Sequence, residues 1–171
     1  LEEDGQFWAG IGKTRDRKYL VIGASSSTSS EVRILEASNP DGEFRVFRPR
    51  QKGVEYELVH QNGNFYILTN ENAVNFKVMR TRDNELAPEK WQEFIAARDD
   101  VLVDDVDAFA DYLVISEREN GLQKMRYCDK NGQFRYIPFD EAVYSAEADE
   151  NPEFNTSIVR YRYTSLTTPN S

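Results

Sequence analysis

Short stretches that alternate apolar and polar residues recur along this chain at a nearly constant spacing. The apolar runs that begin at Tyr19, Phe65 and Tyr112 lie about 46 residues apart, and one further step reaches Val159. Because successive side chains of a strand point to opposite faces, these β-branched and aromatic runs predict β-strands. Self-similarity at a fixed spacing also indicates a repeat architecture.

Each complete repeat predicts four strands in the same order. In the first repeat they occupy 7–13, 19–22, 31–35 and 43–47, in the second 54–60, 65–68, 75–79 and 91–95, and in the third 101–109, 112–115, 122–127 and 133–137. An incomplete fourth repeat offers only 142–148 and 157–163. Asn62-Gly63 is a strong hairpin signal, because both positions tolerate positive φ. The longer joint 81–90 contains Ala87-Pro88-Glu89, which predicts a helical turn.

Four antiparallel strands in about 46 residues match the blade of a β-propeller. We therefore predict an all-β chain, a partial β-propeller of about three and a half four-stranded antiparallel blades. The blades span 6–49, 54–96, 101–138 and, in part, 141–166, within a single domain of residues 1–171. No WD dipeptide or kelch glycine pair is present, and an ordinary antiparallel sandwich is the alternative.

The net charge of −9 and the pI near 4.7 argue against nucleic acid and anionic membranes as partners and favour basic ones. One cysteine, Cys128, excludes an intramolecular disulfide and a cysteine metal cluster, which favours a reducing, cytoplasmic location. The acidic stretch 99–111 has no glycine and is interrupted by valines, so it predicts a strand with solvated carboxylates rather than a calcium loop. We expect no metal and no cofactor.

The chain offers little catalytic chemistry of its own. No Gly-x-Ser-x-Gly pentapeptide is present, although a hydrolase nucleophile elbow requires one. The single histidine, His60, precedes a hairpin and is interpreted as a half-exposed turn residue. Cys128 has no visible group that would lower its pKa and is interpreted as a structural thiol.

Several segments resemble the propeller of the prolyl oligopeptidase family of serine peptidases, and specifically its oligopeptidase B (protease II) branch. They are 7–14 with 18–22, 64–70 with 75–77, 113–122, 151–154 and 161–169. The resemblance covers essentially the whole chain and rests on the order and spacing of the segments.

This resemblance implies a parent enzyme with an α/β-hydrolase domain and a seven-bladed propeller that covers the active site and excludes folded proteins. Such enzymes cleave short peptides after Lys or Arg. The chain would be the later blades of that lid, a piece of a longer protein that lacks the catalytic domain and its triad. We expect it to be inactive alone, with the peptidase domain of the parent and short basic peptides as partners.

The loops between second and third strands, 25–30, 70–73 and 117–120, should emerge at one end of the blades. The resemblance suggests that this end faces the peptidase domain. Candidate interdomain or substrate-cavity residues are therefore Ser27, Asn72, Glu117, Arg118 and Asn120. At the opposite end, Arg15, Arg17 and Lys18 are interpreted as a solvated charged turn.

Two further expectations remain open at this point. An arc of blades leaves its terminal faces uncovered, which favours self-association. The alternative function is a non-enzymatic propeller module that binds peptides or proteins.

Overall fold

The computed structural model describes residues 4–171 and confirms the all-β prediction. The first blade contains β1 (Trp8–Lys13), β2 (Tyr19–Ser25), β3 (Ser30–Glu36) and β4 (Arg45–Arg48). The second contains β5 (Tyr56–Gln61), β6 (Asn64–Thr69), β7 (Lys77–Arg82) and β8 (Gln92–Ile95). The third contains β9 (Val101–Ala108), β10 (Tyr112–Glu119), β11 (Leu122–Asp129) and β12 (Phe134–Tyr136). A partial fourth blade pairs β13 (Tyr144–Ala148) with β14 (Tyr161–Ser165).

Within each blade the strands are antiparallel and lie side by side in sequence order. The hairpin predicted at Asn62-Gly63 is confirmed, with φ values of 49° and 77° at the two turn residues. Asn120-Gly121 makes a turn of the same kind between β10 and β11, the second and third strands of their blade, with φ values of 52° and 77°. The 3-10 turn Pro88–Lys90 confirms the helical turn expected before β8.

The first two blades also share a β-bulge at the same place in the pairing of their third and fourth strands. The β3–β4 pairing shifts register between Val32 and Arg33, and the β7–β8 pairing shifts between Val78 and Met79. These two positions lie one repeat apart in the chain. A bulge therefore twists the outermost strand of both blades at the same place.

The main core lies between the blades. Tyr19 and Ile34 of the first blade pack against Phe65 and Ile67 of the second. Strand β6 is buried on both faces, because Phe65 and Ile67 pack on the first blade whereas Tyr66 and Leu68 pack on the third. This explains why its sequence is a continuous apolar run rather than an alternating one.

Hydrogen bonds across the first interface fix how the two blades meet. The Tyr56 hydroxyl accepts the Val32 N–H at 2.8 Å and donates to the Arg48 carbonyl at 2.8 Å. Ser30 Oγ donates to the Tyr56 carbonyl and accepts the Tyr56 N–H. Burial raises the pKa of Tyr56 to about 12, so the hydroxyl stays a donor across the physiological range.

The partial fourth blade differs from the sequence expectation. Its second strand was predicted at 157–163, but β14 runs from Tyr161 to Ser165. The preceding residues are held by other bonds, since Arg160 N–H donates to Asn151 Oδ1 at 2.8 Å and Ala110 N–H donates to the Phe154 carbonyl at 2.9 Å. Segment 149–160 therefore forms a crossing loop and leaves only a short ladder for β13 and β14.

Candidate functional site: a cleft on the inner strands

The first strands of the three complete blades line one cleft of about 680 Å³, here called the inner cleft. It lies at the end of the blades that carries loops 26–29 and 70–76, here called the upper end. The turns 14–18 and 62–63 mark the opposite, lower end. The cleft volume falls in the range of pockets that hold small organic or peptide ligands.

Four carboxylates stand on the wall of this cleft: Glu31, Glu55, Glu57 and Asp104. Three of them have partners, since Glu31 pairs with Arg33, Glu55 accepts a bond from Asn70, and Asp104 lies 3.5 Å from Arg118. Within residues 4–171 the exposed Glu57 carboxylate has neither an ion-pair nor a hydrogen-bond partner. The cleft therefore carries uncompensated negative charge.

The rest of the wall is largely apolar. Trp8 is 84% exposed at its edge, and Leu58, Phe76 and Leu102 line its interior. The floor contains Gly10 and Gly23, which pair across β1 and β2, and a Cβ built on either would meet no atom within 4 Å. The combination of apolar surface, bare backbone and carboxylates is chemically suited to a cationic, partly apolar ligand.

The carboxylates behind the cleft repel one another. Burial raises the pKa of Asp105 to about 6, and the negative charges of Asp107 and Glu57 add to the effect. Arg15 and the Val106 N–H act in the opposite direction without reversing it. A cation that enters this region would relieve the repulsion.

Three of the five predicted site residues lie in turns at the upper end. Ser27 is exposed in the turn 26–29, where Ser26 N–H donates to the Ser29 carbonyl at 2.8 Å. Asn72 is exposed with φ 52°, and Asn120 is exposed with φ 52°. Neighbours of Ser27, but not Ser27 itself, line the inner cleft.

The other two predicted residues belong to a strand and not to a loop, because β10 extends to Glu119. Glu117 is only 1% exposed and is clamped by Arg98, by Arg126 at 2.7 Å and by the Tyr136 hydroxyl at 3.0 Å. It therefore holds blade elements together and does not present its carboxylate to a partner. Arg118 is exposed and reaches the cleft through its contact with Asp104.

The expectation that His60 is half exposed is wrong. The ring is 1% exposed and packs edge-on against Tyr19 and Phe65. Its Nδ1 lies 2.5 Å from Asp16 of the first blade, and its Nε2 lies 3.4 Å from Asp83, without hydrogen-bond geometry. The position just before a hairpin is buried here because the neighbouring blade covers it.

Hydrogen bonds determine the charge state of the two carboxyl groups around His60. Burial alone would raise the pKa of Asp16, but bonds from Thr14 and His60 outweigh it and hold the pKa below the usual value. For Asp83, burial is likewise outweighed by the bond and charge of Lys18. This junction ties the first blade to the second.

The basic turn at the lower end is also more than a solvated turn. Arg15 pairs with Asp107 of the third blade and lies over the Phe109 ring at 4.5 Å. Lys18 donates to Asp83 of the second blade at 2.5 Å. Arg17 and Lys18 are both exposed as expected, but among the described residues of this turn only the Arg17 side chain has no ion-pair or hydrogen-bond partner. The turn was misjudged because its partners lie in blades far away in sequence.

Cys128 is buried, and burial raises the pKa of its thiol. Over residues 4–171, no group of three or more His, Cys, Asp or Glu side chains could hold a metal ion. In the same part of the chain, no helix has the length and apolar character needed to cross a membrane.

The cleft residues Glu57, Trp8 and Asp104 escaped the sequence-based site prediction. A usable signal existed, because the first strand of each propeller blade borders the central channel. Alternate acidic residues at the start of such a strand, as at Glu55 just before β5 and Glu57 within it, therefore border shared space. The prediction followed the loops, and of these acidic positions it considered only Asp104, which it interpreted as a solvated carboxylate within the stretch 99–111.

The four-stranded blades, stacked face to face around an inner wall, define this chain as a partial β-propeller. The family model of the prolyl oligopeptidase N-terminal β-propeller domain matches residues 1–171. The chain belongs to this family.

Individual relatives agree with that assignment. Dipeptidyl aminopeptidase BI of Pseudoxanthomonas mexicana is 39% identical over 98% of this chain and 23% of its own length. Protease 2 of Moraxella lacunata is 29% identical over 98% of this chain and 24% of its own length.

A solved structure of a relative also has a similar fold over almost the whole chain. The closed form of oligopeptidase B from Trypanosoma brucei, with covalently bound antipain, matches with a TM-score of 0.90 and 31% identity over 99% of this chain and 26% of that one. The chain thus spans about a quarter of the length of these relatives.

Proposed function

We propose that this chain is part of the propeller lid of a serine oligopeptidase that cleaves short peptides after Lys or Arg. The inner cleft is the observation that carries the proposal. Its free Glu57 carboxylate and apolar wall suit a basic side chain with an aliphatic stem. The named relatives are peptidases, and the family resemblance supplies the reaction.

In this proposal the upper end faces the peptidase domain of the parent chain. Ser27, Asn72, Arg118 and Asn120 then lie at the interdomain contact, and Glu117 supports them from within β10. The packed blades admit peptides and exclude folded proteins. The chain itself contributes no nucleophile and works by restricting access.

The test uses the full-length protein that contains this chain. Chromogenic peptides that differ only by Arg, Lys, citrulline or Leu before the scissile bond are compared by kcat/KM. We expect Arg and Lys to be favoured by at least about tenfold, because a buried or partly buried charge match discriminates strongly. A folded protein with exposed Arg residues should stay intact. Equal rates for Arg and citrulline would contradict the proposed specificity, and cleavage of the folded protein would contradict the lid.

A separate experiment addresses the interdomain residues. Ser27→Ala, Asn72→Gly and Asn120→Gly remove side chains, and glycine keeps the positive φ that the two asparagines adopt. In the full-length enzyme these changes should alter KM or the rate of domain closure. Unchanged peptide kinetics for all three would remove these residues from the interface.

A second candidate activity is the release of dipeptides from a free amino terminus. The observation that favours it is the 39% identity to a relative named dipeptidyl aminopeptidase. Acetylation of the substrate amino terminus distinguishes the two: an oligopeptidase keeps its activity, whereas a dipeptidyl aminopeptidase loses it. A full-length protein that hydrolyses neither substrate would favour the non-enzymatic peptide-binding module.

We also propose a cytoplasmic location. The free, buried Cys128 supports it, because secreted domains of this size usually use their cysteines in disulfides. Subcellular fractionation of cells that express the full-length protein tests this directly.

A further inference from the structure

We infer that the inner cleft is itself a binding site for a cationic peptide segment, with Glu57 as its charged anchor and the Trp8 indole as its apolar platform. The inference rests on the proposed function for its role in the parent enzyme. Binding by this chain alone does not require that function to be correct. The site is a subsite for substrate capture and contains no reacting group.

Part of the negative charge of the cleft has no counter-charge within the described residues. Glu31, Glu55 and Asp104 each have a partner, whereas Glu57 has none within the described residues. An isolated carboxylate in a concave, partly apolar space is less well screened than one on an open surface. A guanidinium or ammonium group would supply the counter-charge.

Apolar surface lies beside that charge. Trp8 is 84% exposed, although aromatic residues of this size bury most of their surface in folded proteins. An indole face is the best aromatic partner for a cation. Leu58 and Leu102 border the same space and suit the methylene stem of Lys or Arg.

The floor of the cleft includes bare backbone at two glycines. Gly10 and Gly23 face each other across β1 and β2, and neither has an atom within 4 Å of a built Cβ. Their φ angles are not in the left-handed region, so the chain conformation does not require glycine at these positions. The bare backbone leaves open space in which an extended peptide can lie.

Cation binding in the cleft should be coupled to the release of a proton from Asp105. Burial and the charges of Asp107 and Glu57 raise the pKa of Asp105 to about 6, while Arg15 on the facing turn lowers it. A bound cation would favour the ionised form of Asp105. Binding near pH 6 should therefore release protons, and this release should be small at pH 8.

The experiment titrates the 171-residue chain with a capped Gly-Arg-Gly-Arg-Gly peptide and with its citrulline counterpart. Binding is followed by tryptophan fluorescence and by calorimetry in two buffers of different ionisation enthalpy. We expect the arginine peptide to change the Trp8 emission and to bind more weakly as salt rises, and the citrulline peptide to bind poorly. The second tryptophan, Trp91, is packed against Phe47, so Trp8→Leu identifies the source of the signal.

Charge and shape are tested by separate pairs of variants. Glu57→Gln should weaken binding about three- to fivefold, as expected for a partly solvated ion pair. Glu43→Gln makes the same change at an exposed lower-end position and should leave binding unchanged. Gly10→Leu should fill the cleft and abolish binding, whereas Gly12→Leu, two residues along the same strand and outside the cleft lining, should not.

Three results would overturn the inference: equal affinity for the arginine and citrulline peptides, unchanged binding in both Glu57→Gln and Gly10→Leu, or equal losses in the cleft variants and their controls. Circular dichroism confirms that each variant is folded. A failure here would remove the support that the cleft gives to the proposed specificity, but kcat/KM for Arg and citrulline substrates is measured independently on the full-length enzyme. The two failures are therefore distinguishable.

Discussion

The pKa of the Asp105 carboxyl group is raised by its surroundings in the folded chain. It follows the bulge in β9 at Asp104, where the β9–β10 pairing shifts register, and it sits near Asp107 and Glu57. Burial is the main cause of its raised pKa, with like charge adding to it. Because the folded-state pKa of about 6 exceeds the unfolded value of about 3.9, the resulting contribution to stability is complete below about pH 4 and is lost as the pH rises through 6.

Asp105→Asn should therefore stabilise the chain at pH 8 by about 1–2 kcal/mol and should have little effect at pH 4. The amide oxygen can still accept the Val106 N–H bond that Asp105 makes at 2.8 Å. Urea denaturation at the two pH values measures the difference. Asp111→Asn, at an exposed position, is the control and should be neutral at both. A variant that is less stable than the parent at pH 8 would contradict the repulsion.

Residue-scale chemistry was only partly predictable from the sequence. The structural role of Cys128 was predicted correctly, because a thiol with no activating neighbour is visible in the sequence. The burial of His60 was not, since Asp16 and Asp83 approach it from positions 44 residues before and 23 residues after it. Local sequence gives the residue type, and the neighbouring blade determines its environment.

At the scale of the elements, Glu117 of β10 ties the sheet of the third blade to the connection that precedes β9, and it adds side-chain bonds to the backbone pairing of β10, β11 and β12. Arg98 comes from the connection before β9, Arg126 from β11 and Tyr136 from β12. The carboxylate is fully buried, and these partners supply its counter-charge and hydrogen bonds. Breaking such a buried pair on one side leaves uncompensated charge.

Glu117→Ala should cost about 3–5 kcal/mol in the free energy of unfolding, because Arg98 and Arg126 lose their shared partner. Arg118→Ala, at the next position on the same strand, removes an exposed pair and should cost less than about 1 kcal/mol. Chemical denaturation compares the two. A mild effect of Glu117→Ala, similar to that of Arg118→Ala, would show that the clamp contributes little.

The strands themselves were largely predictable because burial leaves a pattern in the sequence. The continuous apolar run in β6 reflects its position between two blades, and the turn chemistry of Asn62-Gly63 fixes its hairpin. Strand β14 was misplaced because the spacing argument assumes a regular fourth blade. The side-chain bonds of Asn151 hold the crossing loop instead, and no periodicity reports such bonds.

At the scale of the whole molecule, the first blade has one covered and one open face. Tyr19 and Val21 pack on the second blade, whereas Ile11 and its cross-strand partner Ile22 lie on the opposite face. Ile11 is 72% exposed. An uncovered sheet face of this kind favours association with another copy of the chain.

Ile11→Lys should therefore shift the isolated chain toward the monomer at high micromolar concentration. Sedimentation equilibrium measures the shift. Val74→Lys places the same charge at a 94% exposed loop position and should leave the association unchanged. An unsubstituted chain that is already monomeric throughout would contradict self-association through this face.

The arc of blades followed from the sequence because the repeat is long and regular. The inner cleft did not, because it is assembled from strands about one repeat apart whose side chains meet only after the blades pack. Glu57 and Trp8 each look ordinary in their own segment. They line the same cleft only because the first and second blades pack against each other.

We propose that the upper end of the blades faces the catalytic domain and its substrate. Amide hydrogen exchange of the isolated chain and of the full-length protein tests it most directly, with peptides that cover loops 26–29 and 70–76 and turns 14–18 and 62–63. We expect slower exchange at the two upper-end loops in the full-length protein and little change at the two lower-end turns. Protection confined to the lower-end turns, or equal exchange at both ends, would contradict it.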